Sequence, residues 1–252
     1  MIEYWEKIAP YYDIEAEEEE IVKQINFLQD KFKKIAKKKI KTILELCCGP
    51  SGWAIPLASK GYVVIGMDKH EKVVEIAKKR AKEQNLKIDF KVGDMRNIHM
   101  KRKVDAIVIR DGIYFLLSHD DILKAFSGFL RSLEEGGVLI FNVPNFINIE
   151  QPPHDILTFR GKNVYRVEFR ETVKIDNVKA IVSEEWVSIV DDKGKLCMIS
   201  GEVKTKLLSY EEIRTLLQTS GFKEDTIHCF PSFEARDEVE DEAEDLIFVV
   251  VK

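Results

Sequence analysis

The 252-residue sequence predicts a doubly wound α/β fold, with a mostly parallel seven-stranded sheet and an antiparallel β insertion late in the chain. Three observations predict it. From about residue 17 to 145, short apolar runs alternate with amphipathic helical segments, the rhythm of a parallel sheet covered on both faces. Between about 147 and 207 the apolar period drops to two. A helix and two apolar runs after 208 then restore the first pattern.

Each element has its own signal. Ile21, Ile25, Leu28, Phe32 and Ile35 recur at helical spacing and predict a helix over about 17–38. Acids at 17–20 and lysines at 37–39 complement its dipole. Thr42–Cys47 reads as a buried strand, Trp53–Ser59 as a helix stopped near Gly61, and Val63–Met67 as a second strand. Val73, Val74, Ala77 and Ala81 mark a helix over 71–84, followed by strands at 88–92 and 106–109. Ile122, Phe126, Phe129 and Leu133 give the next helix, which Gly136-Gly137 stops before a fifth strand at 138–143. In the insertion, Tyr165, Val167, Phe169, Val173 and Ile175 alternate with charged residues, and two further strands flank a turn at 191–194. Ser209 and Glu212 form a capping box for a helix ending near Gly221. Strands at 226–230 and 246–251 close the chain, with the acidic run DEVEDEAED as a solvated loop between them.

Composition narrows the classes of function. A net charge of −5 gives no global attraction to nucleic acid or anionic lipid, and 45% hydrophobic residues suffice for a buried core. The basic stretch KFKKIAKKKIK reads as a solvated helix face rather than an RNA contact. Cys47, Cys48, Cys197 and Cys229 show no metal-ligand spacing, so no metal is expected. With no signal peptide and no run of bilayer length, the expected location is cytoplasmic.

The stretch TILELCCGPSGWAIPLASKGYVVIGMD carries the chemistry. Gly49 at the end of the first strand permits a close backbone approach by a ligand. Asp68, 19 residues later, ends the second strand, where a carboxylate accepts hydrogen bonds from both hydroxyls of a ribose. A dinucleotide fingerprint requires G-x-G-x-x-G, but the spacing from Gly49 puts Ser51 at the second glycine, and the fingerprint fails.

ELCCGPSG resembles the first motif of the class I S-adenosylmethionine-dependent methyltransferases, with Glu45, Cys47 and Gly49 in its acid, small-residue and glycine places. Ser51 stands where that family usually has a further glycine. GMDKH and VGDMRNI are similar to the endings of the family's second and third strands, DAIVIRDGIYFL to its fourth strand and following turn, and LEEGGVLIFNV to its fifth. The N-terminal YWEKIAPYYD resembles the helix that covers the cofactor in many small-molecule members. The resemblance covers 1–145 and 208–252, and implies a Rossmann-like core at 1–146 and 208–252 with a lid at 147–207.

By that resemblance the cofactor is S-adenosylmethionine. The Cys47 carbonyl and the Gly49 backbone hold its methionine part, and Asp68, with Lys69 beside it, takes the ribose. Asp94 and the backbone at Met95 take the adenine, the main chain at Arg110 borders the sulfur, and Tyr12 reaches the cofactor carboxylate. A general base is not identified; Tyr114 and His154 are the candidates near the pocket mouth. The expected acceptor is a small molecule, bound under a three-stranded lid whose apolar face, with Tyr165 and Phe169, packs on the cleft. Alternatively, that face joins two copies, so monomer and homodimer both stay open. RNA or protein methylation, or a non-catalytic cofactor-binding subunit, are the other readings.

Overall fold

The computed structural model describes residues 2–12, 18–145, 155–160, 164–238 and 245–252. Its elements run in the order α1 (Ile2–Ile8), α2 (Glu18–Lys34), β1 (Thr42–Leu46), α3 (Ala54–Ser59), β2 (Val63–Asp68), α4 (Glu71–Glu83), β3 (Asp89–Val92) and β4 (Val104–Ile109). Then come α5 (His119–Ser132), β5 (Leu133–Pro144), β6 (Asp155–Arg160), β7 (Val164–Asp176), β8 (Ile181–Asp192), β9 (Lys195–Lys206), α6 (Tyr210–Thr219), β10 (Ile227–Phe230) and β11 (Asp245–Val251).

Seven strands form one sheet in the order β10-β11-β5-β4-β1-β2-β3. β11 runs antiparallel to both of its neighbours, while β1, β2, β3, β4 and β5 are parallel. The continuous apolar runs follow from burial on both faces. In β4, Ile107 and Ile109 pack with Phe126 and Phe129 of α5, whereas Ala106 and Val108 pack with the α2–α4 side, and all four strand residues are fully buried. Because the strand order reverses between β1 and β4, the carboxyl ends of the parallel strands open a crevice there.

Two boundaries differ from the periodicity. α2 stops at Lys34, because the next residues turn to dock on the sheet end: the Lys37 amide donates to the Gly136 carbonyl and Lys38 Nζ lies 2.5 Å from Asp105. α5 ends at Ser132, and the strand begins at once with Leu133, so Gly136-Gly137 lies inside β5. A Cβ on Gly137 would fall 2.7 Å from the Asp105 carbonyl oxygen, so this close passage of two backbones requires the glycine.

The insertion holds four antiparallel strands, β6-β7-β8-β9, not three. The unexpected one, β6, is short and is preceded by Pro152-Pro153, which hid it in the sequence. The larger correction concerns its faces. Tyr165, Phe169, Val173 and Ile175 are the exposed ones, while Arg166 and Glu168 are buried at 2% and 1% exposure. The period of two is right and its polarity is reversed. Apolar packing on the inner face comes instead from Trp186 and Val190 of β8 and Ile199 and Val203 of β9, which enclose Tyr4 and Ile8 of α1. Glu168 tolerates burial because every neighbour bonds to it: Tyr4 and Ser188 hydroxyls meet Oε2 at 2.8 and 3.1 Å, and Arg170 meets Oε1. On the outer face, Val167, Ile189 and Met198 lie side by side across three strands. The lid expectation with its apolar face on the cleft is therefore overturned.

Candidate active site

A cavity of about 790 Å³ lies at the crevice between the two sheets. Its floor is the set of loops after β1, β2, β3 and β4; α1 and the inner face of the four-stranded sheet form its roof. Tyr12, Cys47, Gly49, Asp68, Lys69, Asp94, Met95 and Arg110 all line it, so the eight residues selected for cofactor binding converge on one space. Tyr114 lines it too; His154 lies outside the described residues.

The glycine loop is shaped by backbone conformation. Cys47 and Gly49 have φ of 52° and 54°, and Ser51, at the position usually held by glycine, has φ of 90°. The loop geometry is thus kept without the glycine, at a cost in strain. Ser51 is fully buried, and its Oγ makes no hydrogen bond among the described residues. Gly52 has a separate reason: a Cβ there would sit 2.9 Å from Arg110 Nη2. The Arg110 guanidinium therefore lies under the loop, where Nη1 donates to Gln24 Oε1 at 3.4 Å. Trp53 Nε1 donates to the same oxygen at 2.7 Å, tying α2 to the loop.

Three acids differ in how they are held. Asp68 accepts from the Gly49 amide at 3.1 Å and, through its other oxygen, from the His70 amide at 3.0 Å. It thereby joins the ends of β1 and β2 as well as facing the cavity. Asp94 is held by Arg96, whose amide and side chain both donate to it; these bonds hold its carboxyl below the usual carboxylate range despite burial. Glu45 is buried, and burial pushes its carboxyl up to about 8 against the pull of Arg110 and the amides of Trp53 and Ala54.

Sequence reading missed several wall residues. His70 is buried with Nδ1 3.0 Å from Asp68. Asp111 follows β4 at φ of 51°, fixed by a reciprocal pair with Asn142 of β5: its amide donates to Oδ1 at 2.9 Å and Asn142 Nδ2 returns the bond at 2.7 Å. Trp5, Phe115, Arg166, Arg170 and Trp186 complete the roof. The insertion's charged alternate positions were the available signal, read as its wet face. Tyr114 has its hydroxyl pushed well up, first by burial and then by Asp111.

S-adenosylmethionine fits the polar inventory of this wall. Glu45 Oε2 and His70 Nε2 are buried, line the cavity and have no hydrogen bond among the described residues, so each awaits a polar ligand group. Burial pushes the Cys47 and Cys48 thiols well up, which leaves small apolar groups beside the loop backbone. Among the described residues no group of acids, histidines and cysteines is arranged to hold a metal ion.

Residues 43–137 match the family model described as a methyltransferase domain. A methyltransferase-named protein of Geobacillus sp. (strain WCH70) is 30% identical over 140 residues, 55% of this chain and 57% of that protein. The chain spans about half the length of the first curated relatives it matches. A solved S-adenosylmethionine-dependent methyltransferase from Clostridium acetobutylicum superposes with a TM-score of 0.75 at 20% identity, covering 91% of each chain. CalS10, an amino pentose methyltransferase from Micromonospora echinaspora solved with S-adenosylmethionine bound, gives 0.68 at 15% identity, covering 91% of this chain and 92% of its own. Residues 43–137 are thus similar to a methyltransferase domain, and the strand order is the fold of the solved methyltransferases on which the chain superposes.

Proposed function

We propose that the protein transfers a methyl group from S-adenosylmethionine to a small-molecule acceptor held under the four-stranded sheet. The observation that carries this reading is the convergence of Gly49, Asp68 and Asp94, from three successive strand ends, on one roofed cavity. The floor serves the cofactor: Asp68 accepts from the ribose, Asp94 and the Met95 backbone take the adenine, and Glu45 answers the cationic methionine end. Tyr12 and α1 cover it, and the main chain at Arg110 borders the sulfur.

The cofactor supplies an electrophilic methyl group; the protein's task is to orient an acceptor against it and keep water out. The aromatic roof of Trp5, Phe115 and Trp186 does the excluding. Tyr114, as a hydroxyl in the cavity wall, orients the acceptor. A roofed cavity of this size suits a metabolite rather than a polymer, which favours a small molecule over RNA or protein. Among the described residues, no helix is long and apolar enough to cross a membrane.

Calorimetry on the purified chain tests the reading directly. It should bind S-adenosylmethionine and S-adenosylhomocysteine and not NAD. Tight NAD binding without heat from either methionine-derived ligand would overturn it.

A further inference from the structure

The roof carries a charge pattern of its own. Arg166 and Arg170 stand two positions apart on either side of Glu168 along the inner face of β7, and both line the cavity. Arg170 is braced on two sides. Its guanidinium carbon lies 3.9 Å from the centre of the Trp186 ring, and its Nε and Nη2 donate to Glu168 Oε1 at 2.9 and 2.8 Å. That brace uses one edge of the fork. Nη1 makes no hydrogen bond among the described residues. Glu168 has nothing further to offer, since its second oxygen is taken by Tyr4 and Ser188. Arg166 is buried beside it, its guanidinium carbon 4.5 Å from the centre of the Tyr12 ring.

Both arginines are thus stacked on aromatic rings in the wall of the cavity. A braced guanidinium with a spare edge matches a carboxylate, which takes two parallel N–H bonds. Trp5, Phe115 and Trp186 beside it offer flat apolar surface. An ammonium ion in the same place would bring only donors to a guanidinium edge that itself only donates.

We propose that the methyl acceptor is a small organic anion, a carboxylate on an apolar or aromatic body, whose carboxylate binds Arg170 with Arg166 alongside. This rests on the methyl-transfer reading and adds the acceptor's class to it. The anion fixes one end of the acceptor under the roof and so points the other end at the floor, where a methyl group would be delivered.

Matched probes decide it. The chain is saturated with S-adenosylhomocysteine and titrated with benzoate, benzamide and benzylamine, then with 3-phenylpropionate, its amide and 3-phenylpropylamine. In at least one set the acid should bind about tenfold or more tighter than its amide, with the amine weakest. Arg170→Gln should bring that preference to within about threefold while S-adenosylhomocysteine affinity stays unchanged, and Arg170→Lys should restore part of it. If no acid outbinds its amide on the unaltered chain, the anion proposal is wrong, whatever the variants do. An acid preference that survives Arg170→Gln in a cofactor-competent protein also overturns it. Failure of S-adenosylhomocysteine to bind at all would instead overturn the methyl-transfer reading, and this proposal with it.

Discussion

At the scale of single residues, the glycine loop shows a cost accepted in place. Ser51 holds a φ of 90° that side chains rarely adopt and buries a hydroxyl without a partner among the described residues. Each feature costs about 1–3 kcal/mol, while glycine would lose a few tenths to about 1 kcal/mol through greater freedom in the unfolded chain. Ser51→Gly should therefore raise stability by about 1–2 kcal/mol, read as a higher urea midpoint at unchanged slope. A lower midpoint would show that the Ser51 hydroxyl has a use the loop does not reveal. Asp68 illustrates the opposite economy, one carboxylate fixing the loop and facing the cavity. Asp68→Ala should weaken S-adenosylhomocysteine binding about ten- to a hundredfold, about 1.5–3 kcal/mol. Unchanged affinity in a folded variant would move the ribose elsewhere.

At the scale of elements, the strands and helices of the main sheet were legible because two-sided burial makes continuous apolar runs, and nothing competes with that signal. The residues where β1, β2 and β3 end were legible for a related reason: a glycine or an acid closes each apolar run there, at the mouth of the crevice. What the periodicity did not contain was how ends are tied. Asp105 at the start of β4 accepts from the Lys41 and Thr42 amides and the Thr42 hydroxyl, all at 2.9 Å, and pairs with Lys38. Burial alone would raise its carboxyl, but these bonds hold it at about 2. Because the folded value lies below the unfolded one, near 3.8, the stabilisation is full above about pH 4 and is lost as pH falls towards 2. It is worth about 2 kcal/mol. Asp105→Asn should lose about that much at neutral pH, and its unfolding free energy should fall less steeply than the parent's between pH 4 and 2. Parallel pH curves for the two proteins would disprove the linkage.

At the scale of the whole molecule, the reversed faces of the insertion show the limit of pattern reading. A strand alternating apolar and charged residues has a definite period, but which face turns inward depends on what the opposing layer provides. Here the layer is α1, whose Tyr4 hydroxyl needs a carboxylate and whose ring needs apolar neighbours, together with a cavity that calls for charge. Glu168 and the arginines of β7 satisfy the first and last needs; β8 and β9 supply the apolar contacts. α1 in turn touches the core, Glu6 pairing with Lys72 of α4 at 3.5 Å and Arg80 donating to the Tyr12 carbonyl. The N-terminal helix is therefore the clasp between roof and floor. Gly201 of β9 is the point where it seats, since a Cβ there would lie 2.7 Å from Tyr4 Cβ. Gly201→Leu should lift α1 without altering any cavity-lining side chain. Hydrogen exchange should then rise in residues 2–12 and in β7, β8 and β9, stay unchanged in β1, β4 and β5, and accompany weaker S-adenosylhomocysteine binding. If exchange rises in α1 and the roof while that affinity holds, the clasp closes nothing over the cofactor, and the floor alone retains it.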